Sequence, residues 1–142
     1  SEQEAMALAR RVIKPETSDK MRYLMRLNAE IGTAKKADVK GYYIGGKTGT
    51  AEKVINGRYA KKRVLNAFTA ILPADNPKYQ LLIMLDEPQP LKETYGFITS
   101  GWNAVPTGGN VIARIAPLLG VEPRFDLPPS DRLILAASRA TQ

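Results

Sequence analysis

The spacing of hydrophobic positions switches from helical to alternating and back along this chain, and the switches mark its elements. Residues 2 to 12 are rich in good helix formers, and Pro15 closes that first helix because proline disfavours helical geometry in the residue before it. A second helix follows over residues 18 to 31, with Thr17 or Ser18 as its cap and Gly32 as its end. Within it Met21, Leu24, Met25, Leu27, Asn28 and Ile31 recur at helical spacing, so its apolar members are expected to face a core. From Gly41 the texture changes: Tyr42, Tyr43 and Ile44, then glycines and threonines, suit an extended strand. Asn56-Gly57 is a turn signal, and the basic stretch Arg58 to Arg63 leads into a second strand, Val64 to Leu72, which pairs with the first as a hairpin.

After the turn cluster Pro73 to Pro77, the run Tyr79 to Leu85 reads as a third strand, apolar enough for burial on both faces. The connection before it is shorter than the dozen or so residues of a parallel crossover, so the pairing is antiparallel. Residues 86 to 109, broken by prolines and glycines, read as an irregular excursion before a helix over residues 110 to 119, closed by Gly120. The tail from Glu122, with Pro123, Pro128, Pro129 and an apolar patch at Leu133 to Ala137, reads as a loosely docked extension. The expected fold is α+β: an antiparallel sheet packed against the helices at 18 to 31 and 110 to 119.

Composition narrows the chemistry more than the fold. A chain of 142 residues, 44% hydrophobic, can close one core without metals or disulfides. Neither cysteine nor histidine is present, which removes thiolate nucleophiles, zinc-finger ligand sets, Ser-His-Asp triads and imidazole metal sites. Proton transfer must then use lysine or carboxylates, and neither a metal site nor a cofactor is expected. The net charge of +7 favours acidic partners such as phosphates, anionic lipids or carboxylate-rich polymers. No apolar run approaches the roughly 20 residues that span a bilayer, and residues 1 to 15 do not read as a signal sequence, so the chain as given is expected to be soluble. Lack of cysteine fits a reducing or an oxidising compartment equally.

Two mechanisms compete for Gly41 to Ala51. As letters, Gly41 to Thr48 satisfies a phosphate-binding loop, and Leu81 to Glu87 resembles the strand that ends on a magnesium-holding acid. Such a loop requires a buried strand before Gly41 and a helix starting near Lys47, whose N–H groups cradle phosphate. The sequence offers neither: Lys35 to Lys40 is too charged, and Gly49 and Asn56-Gly57 interrupt any helix. As a strand, the segment places Lys47 and Gly49 on one face and Thr48 and Thr50 on the other. A lysine ammonium, threonine hydroxyls and a glycine without side chain suit an anionic peptide end lying along that strand.

Lys47-Thr48-Gly49, extended by Thr50-Ala51-Glu52-Lys53, resembles the third active-site motif of penicillin-binding proteins. Gly32-Thr33-Ala34 upstream, Asn66 to Ala70 and the apolar strand downstream, and the helix after Pro106-Thr107-Gly108-Gly109 extend the resemblance over roughly residues 17 to 123. The order is similar to class B, division-type peptidoglycan D,D-transpeptidases, in the C-terminal part of the transpeptidase domain. That resemblance implies the penicillin-binding-protein and serine β-lactamase-like fold, with residues 1-123 belonging to the transpeptidase domain and 124-142 forming a C-terminal extension. It implies an acyl-serine mechanism that cross-links stem peptides and is the target of β-lactams. Lys47 and Thr50 would be catalytic, Lys47 through positive potential and proton transfer and Thr50 through an oxyanion-hole amide. Lys47, Thr48, Gly49 and Thr50 together would bind substrate. Implied partners are stem peptides, β-lactams, the rest of the transpeptidase domain and cell-division proteins, but not nucleic acid. The parent would work on the periplasmic side of the bacterial inner membrane, held by an N-terminal anchor outside this chain.

The family also needs a serine with lysine three residues on, and a Ser-x-Asn motif. Ser1, Ser18, Ser100, Ser130 and Ser138 satisfy neither spacing, so the chain alone is expected to be inactive. A non-catalytic ligand-binding module that kept the strand is the alternative. The basic cluster Lys53, Arg58, Lys61, Lys62 and Arg63 reads as the coat of an exposed hairpin in preference to a nucleic-acid surface. Asp86-Glu87 reads as a solvated strand exit with no catalytic role. Trp102, with Tyr95 and Phe97 nearby, either walls a substrate groove or anchors its loop to the core.

Overall fold

In the computed structural model, which describes residues 2–127, the alternating segments form β1 (Gly45–Ile55), β2 (Arg58–Leu72) and β3 (Tyr79–Asp86). They make one antiparallel sheet in the order β1-β2-β3. The hairpin turns at Asn56 and Gly57, both with positive φ, as a two-residue connection between twisted strands requires. A register shift after Glu52 leaves Lys61, Lys62 and Arg63 outside the β1–β2 ladder. Lys47 lies inside β1, so no helix begins there and the phosphate-loop geometry is absent.

The helices are α1 (Glu2–Leu8), α2 (Pro15–Ile31) and α3 (Ala104–Ile115). Pro15 opens α2 and does not close the first helix; a proline suits the first turn because its missing N–H would have no helical partner there. The first helix stops at Leu8, four residues short of expectation, with Met6, Leu8 and Val12 exposed. The strand begins at Gly45 and not at Gly41: Tyr42 and Ile44 spend their N–H groups on the local carbonyls of Val39 and Tyr42. The C-terminal helix begins six residues earlier than expected, at Ala104. Asn103 caps it by accepting from the Ala104 N–H at 2.6 Å, and Pro106 sits in the first turn, where proline is tolerated.

The core lies between one face of the sheet and the helices. Val64, Asn66, Phe68, Ala70 and Leu72 point inward from β2, and Val105, Ile112 and Ala116 meet them from α3 and its end. The Phe68 ring fills a slot bounded by Gly46 and Gly108; a Cβ at either would stand 2.5 Å from a ring carbon. On β3 only Leu81, Ile83 and Leu85 pack inward, while Leu82 and Met84 are each 55% exposed, so the strand is buried on one face and not two. The alternation of an antiparallel sheet with helices on one side produces that asymmetry.

On α2 the buried stripe differs from the apolar one: Met21, Leu24 and Ile31 are exposed, while Arg26 and Ala29 are buried. Arg26 holds its place through Glu30 at 2.8 Å, Asp38 at 2.7 Å and the Ile44 carbonyl at 2.9 Å, so its burial leaves no donor group stranded. Past α3, Arg124 donates its N–H to the Gly41 carbonyl and its guanidinium to both Asp75 oxygens. The apolar patch Leu133 to Ala137 lies outside the described residues.

Candidate active site

β1 pairs only with β2 among the described residues, so its other border carries no strand. Thr48 and Thr50 sit opposite Phe68 and Asn66, which places them on the helix-facing side of the sheet. Lys47 and Gly49 sit opposite Thr69 and Ala67 on the other side, as the strand period dictates.

Three supports converge on the threonines. Asn28, in the last turns of α2, donates to the Gly46 carbonyl at 2.8 Å and accepts from the Thr33 N–H at 3.0 Å, which ties the helix exit to the strand. The Thr33 and Thr48 hydroxyls are then 2.9 Å apart. From the far side, the Ser100 N–H donates to Thr50 Oγ1 at 3.1 Å, and the Ser100 hydroxyl donates to the Ala67 carbonyl at 2.7 Å. Because Thr50 Oγ1 accepts from below, its own proton remains for a ligand. The Ser100 segment is fixed in turn by buried Asn66, whose amide donates to the Ile98 carbonyl at 2.5 Å and to Asn103 Oδ1 at 2.9 Å. The Asn66 side-chain oxygen, Oδ1, is buried and has no hydrogen-bond partner among the described residues.

These groups line a groove of ≈ 680 Å³ formed by Gly32, Thr33, Lys35, Lys36, Thr48, Thr50 and residues 99 to 102. Its lining has hydroxyls, two lysines and an indole, and no carboxylate. Such a surface suits an anion with an apolar body. Trp102 forms one wall and also anchors its loop: Phe97 stacks on it with ring centroids 5.2 Å apart and Tyr95 meets its edge at 5.6 Å. A second cavity of ≈ 540 Å³ lies around Arg26, Tyr43 and Phe125, where Arg26 and Arg124 already hold acidic partners.

Lys47 is not among the residues that line the groove; its side chain is exposed and its ammonium donates to the Thr48 carbonyl at 2.6 Å. Gly49 has room for a Cβ, at 3.7 Å from that of Ala67, so nothing among the described residues demands glycine there. Asp86 and Glu87 stand apart from the groove, and Lys53 pairs with them at 2.6 and 2.9 Å. Arg63 joins at 2.7 Å; its hydrogen bond and that of Lys53 hold the Glu87 carboxyl below its usual range. Two members of the basic hairpin cluster are therefore already paired. Sequence reasoning gives no role to Asn28, Lys36, Asn66 or Ser100. Asn66 alone left a signal, as the one polar residue in the inward series of β2.

The family model of the penicillin binding protein transpeptidase domain matches residues 2–101. The chain belongs to the penicillin-binding-protein transpeptidase family. Among relatives, a probable peptidoglycan D,D-transpeptidase FtsI of Caulobacter vibrioides is 45% identical over 127 residues, covering 83% of this chain and 22% of the relative. Stage V sporulation protein D of Bacillus subtilis is 39% identical over 115 residues, covering 81% and 17%. The chain thus spans about a fifth of the length of these curated relatives. Penicillin-binding protein 3 of Mycobacterium tuberculosis, solved with ampicillin, superposes with a TM-score of 0.69 at 29% identity, over 84% of this chain and 28% of that one. The transpeptidase domain of Burkholderia pseudomallei penicillin-binding protein 3 gives 0.69 and 29%, over 84% and 34%. The three-stranded sheet with its helices is therefore part of the penicillin-binding-protein fold, and the likeness is to its class B, division-type members.

Proposed function

We propose that this chain forms the substrate-strand portion of a peptidoglycan D,D-transpeptidase that cross-links stem peptides through an acyl-serine intermediate and is acylated by β-lactams. One observation carries this: the hydroxyls of Thr48 and Thr50 open from the free border of β1 into a groove that holds cations and no carboxylate. A stem peptide entering there presents its terminal carboxylate to Thr48 and Thr50 and lies along β1. The Thr50 N–H serves as one oxyanion donor, where a fixed amide is worth roughly 10²–10³ in rate. Gly49, on the opposite face from the threonines, adds no side chain beside the border along which the ligand lies. Lys47, on the opposite side, supplies positive potential to the elements that bring the serine and its lysine. Those elements are the rest of the transpeptidase domain, and they cover the side of the sheet that carries Lys47, Leu82 and Met84.

Residues 1-123 belong to that domain and 124-142 extend it. The full-length protein acts on the periplasmic side of the inner membrane, with cell-division proteins as its partners and an anchor outside this chain; no described helix is long and apolar enough to cross a membrane. The chain alone has neither Ser-x-x-Lys nor Ser-x-Asn, so it forms no acyl-enzyme. Intact mass after incubation with a labelled penicillin tests both halves of the proposal. The full-length protein gains one penicilloyl group and the isolated chain none. An unlabelled full-length protein would leave a ligand-binding module without acylation chemistry.

A further inference from the structure

Two lysines, Lys35 and Lys36, line the groove, and Lys36 is the one seated against its aromatic wall. Lys36 lies in the 3-10 turn Lys35–Ala37 between α2 and β1. Its ammonium stands over the Trp102 ring, 3.2 Å from the centroid. The turn cannot drift: Ala37 is fully buried, its N–H donates to the Ala34 carbonyl at 2.9 Å, and Gly109 of α3 admits it. A Cβ on Gly109 would stand 2.9 Å from the Ala37 Cα and 3.1 Å from the Lys36 carbonyl oxygen. Trp102 is also stacked with Phe97, and its own turn is seated by the Ser100 bond to Ala67. Two short turns from distant parts of the chain thus bring one cation and one indole together beside Thr48 and Thr50.

Lys36 is exposed, yet no carboxylate forms an ion pair with it among the described residues. An indole face orients an ammonium without neutralising it, which leaves N–H donors for an anion. Lys47, by contrast, is not among the residues that line the groove, and its ammonium is bonded to the Thr48 carbonyl.

Resting on the transpeptidase reading, we propose that Lys36, seated on Trp102, is the specificity-determining cation of this groove and recognises the carboxylate of the ligand that Thr48 and Thr50 receive. The same arrangement accepts the terminal carboxylate of a peptide or the ring carboxylate of a penicillin, because both present a planar anion on an apolar body. The charge acts on capture of the ligand and leaves the later bond-making step to the rest of the domain.

The test uses the full-length protein, a penicillin and its carboxyl methyl ester, with acylation rates measured at limiting ligand. Lys36→Met keeps the stem and removes the charge; it lowers the rate with the free acid about tenfold, as expected for a lost charge-assisted hydrogen bond, and leaves the ester rate unchanged. Lys36→Arg retains the preference for the acid. Added salt lowers the wild-type acid rate toward that of Lys36→Met and moves the variant little. An acid rate in Lys36→Met within about twofold of wild type, or an equal loss for acid and ester, overturns the role of Lys36 while acylation itself stands. Absence of acylation in the wild type overturns the transpeptidase reading and this role with it.

Discussion

Asp75 does at the surface what Arg26 does in the interior: it uses a guanidinium to fix the path of the chain. Both Asp75 oxygens accept from Arg124, at 2.8 and 2.9 Å, and the Asp75 carbonyl accepts from Arg22 at 2.6 Å. The turn after β2, the middle of α2 and the segment beyond α3 meet at this residue. The Arg124 hydrogen bond holds the Asp75 carboxyl below its ordinary range, and partial burial opposes it. With the folded value below the unfolded one, the pair contributes stability above the ordinary carboxylate value of about 4, and the contribution is lost as pH falls through the lower folded value. Both side chains are more than a third exposed, so solvent screening limits the pair to about 1 kcal/mol or less. Thermal melts of Asp75→Asn are expected to lie below wild type near neutral pH, with the two proteins converging in strong acid. An acid limb that is the same in both would remove Asp75 from the pH response.

At the scale of elements, α3 carries the clearest disagreement between local preference and tertiary demand. Pro106, Gly108 and Gly109 weaken any helix reading of residues 104 to 109. Gly108 is there because the Phe68 ring occupies the space of its Cβ, and Gly109 because the Ala37 backbone does. Neither reason is visible without the neighbouring element. The strands were legible because their alternation is local: Val64, Phe68, Ala70 and Leu72 announce the buried face of β2, and Asn56-Gly57 announces its turn. Thr48 and Thr50 were legible with β1, whereas Lys36 and Ser100 join them only through two 3-10 turns that no periodicity marks. Gly108→Ala tests which demand dominates. Alanine gains up to about 1 kcal/mol in helix propensity, but overpacking a full slot costs about 1–3 kcal/mol. Phe68 is fully buried and has nowhere to retreat, so chemical denaturation is expected to show net destabilisation. Gly49→Ala, where a Cβ finds ordinary contact at 3.7 Å, is expected to keep or raise stability in the same measurement. Equal effects at both positions would refute the slot.

For the whole molecule, the sheet has one face that the described residues cover and one that they leave largely open. On that other side, Leu65, Ala67 and Thr69 of β2 lie between Lys47 and Gly49 of β1 and Leu82 and Met84 of β3, while Met25 of α2 packs over the Gly45–Ile71 end. Leu82 and Met84 each keep 55% of their surface in contact with solvent, beside half-buried aliphatic neighbours, which makes a continuous apolar strip at the sheet centre. Such a strip on a soluble domain favours association, at about 25 cal/mol for each Å² removed from water. In the proposed full-length enzyme the remaining transpeptidase elements lie over it, and the hydroxyl groove on the other face stays open. The isolated chain is therefore expected to self-associate through this strip, with sedimentation velocity showing species heavier than 15.6 kDa that grow with concentration. Replacing both residues, Leu82→Lys with Met84→Lys, places like charges across that contact and is expected to return the chain to monomer, since both positions are exposed and the inward face of β3 is untouched. In the full-length protein the same pair of changes is expected to impair folding and penicillin acylation, because there the strip is interior. A wild-type chain that stays monomeric across concentration, together with a full-length double variant that acylates normally, would mean that this face has no covering partner.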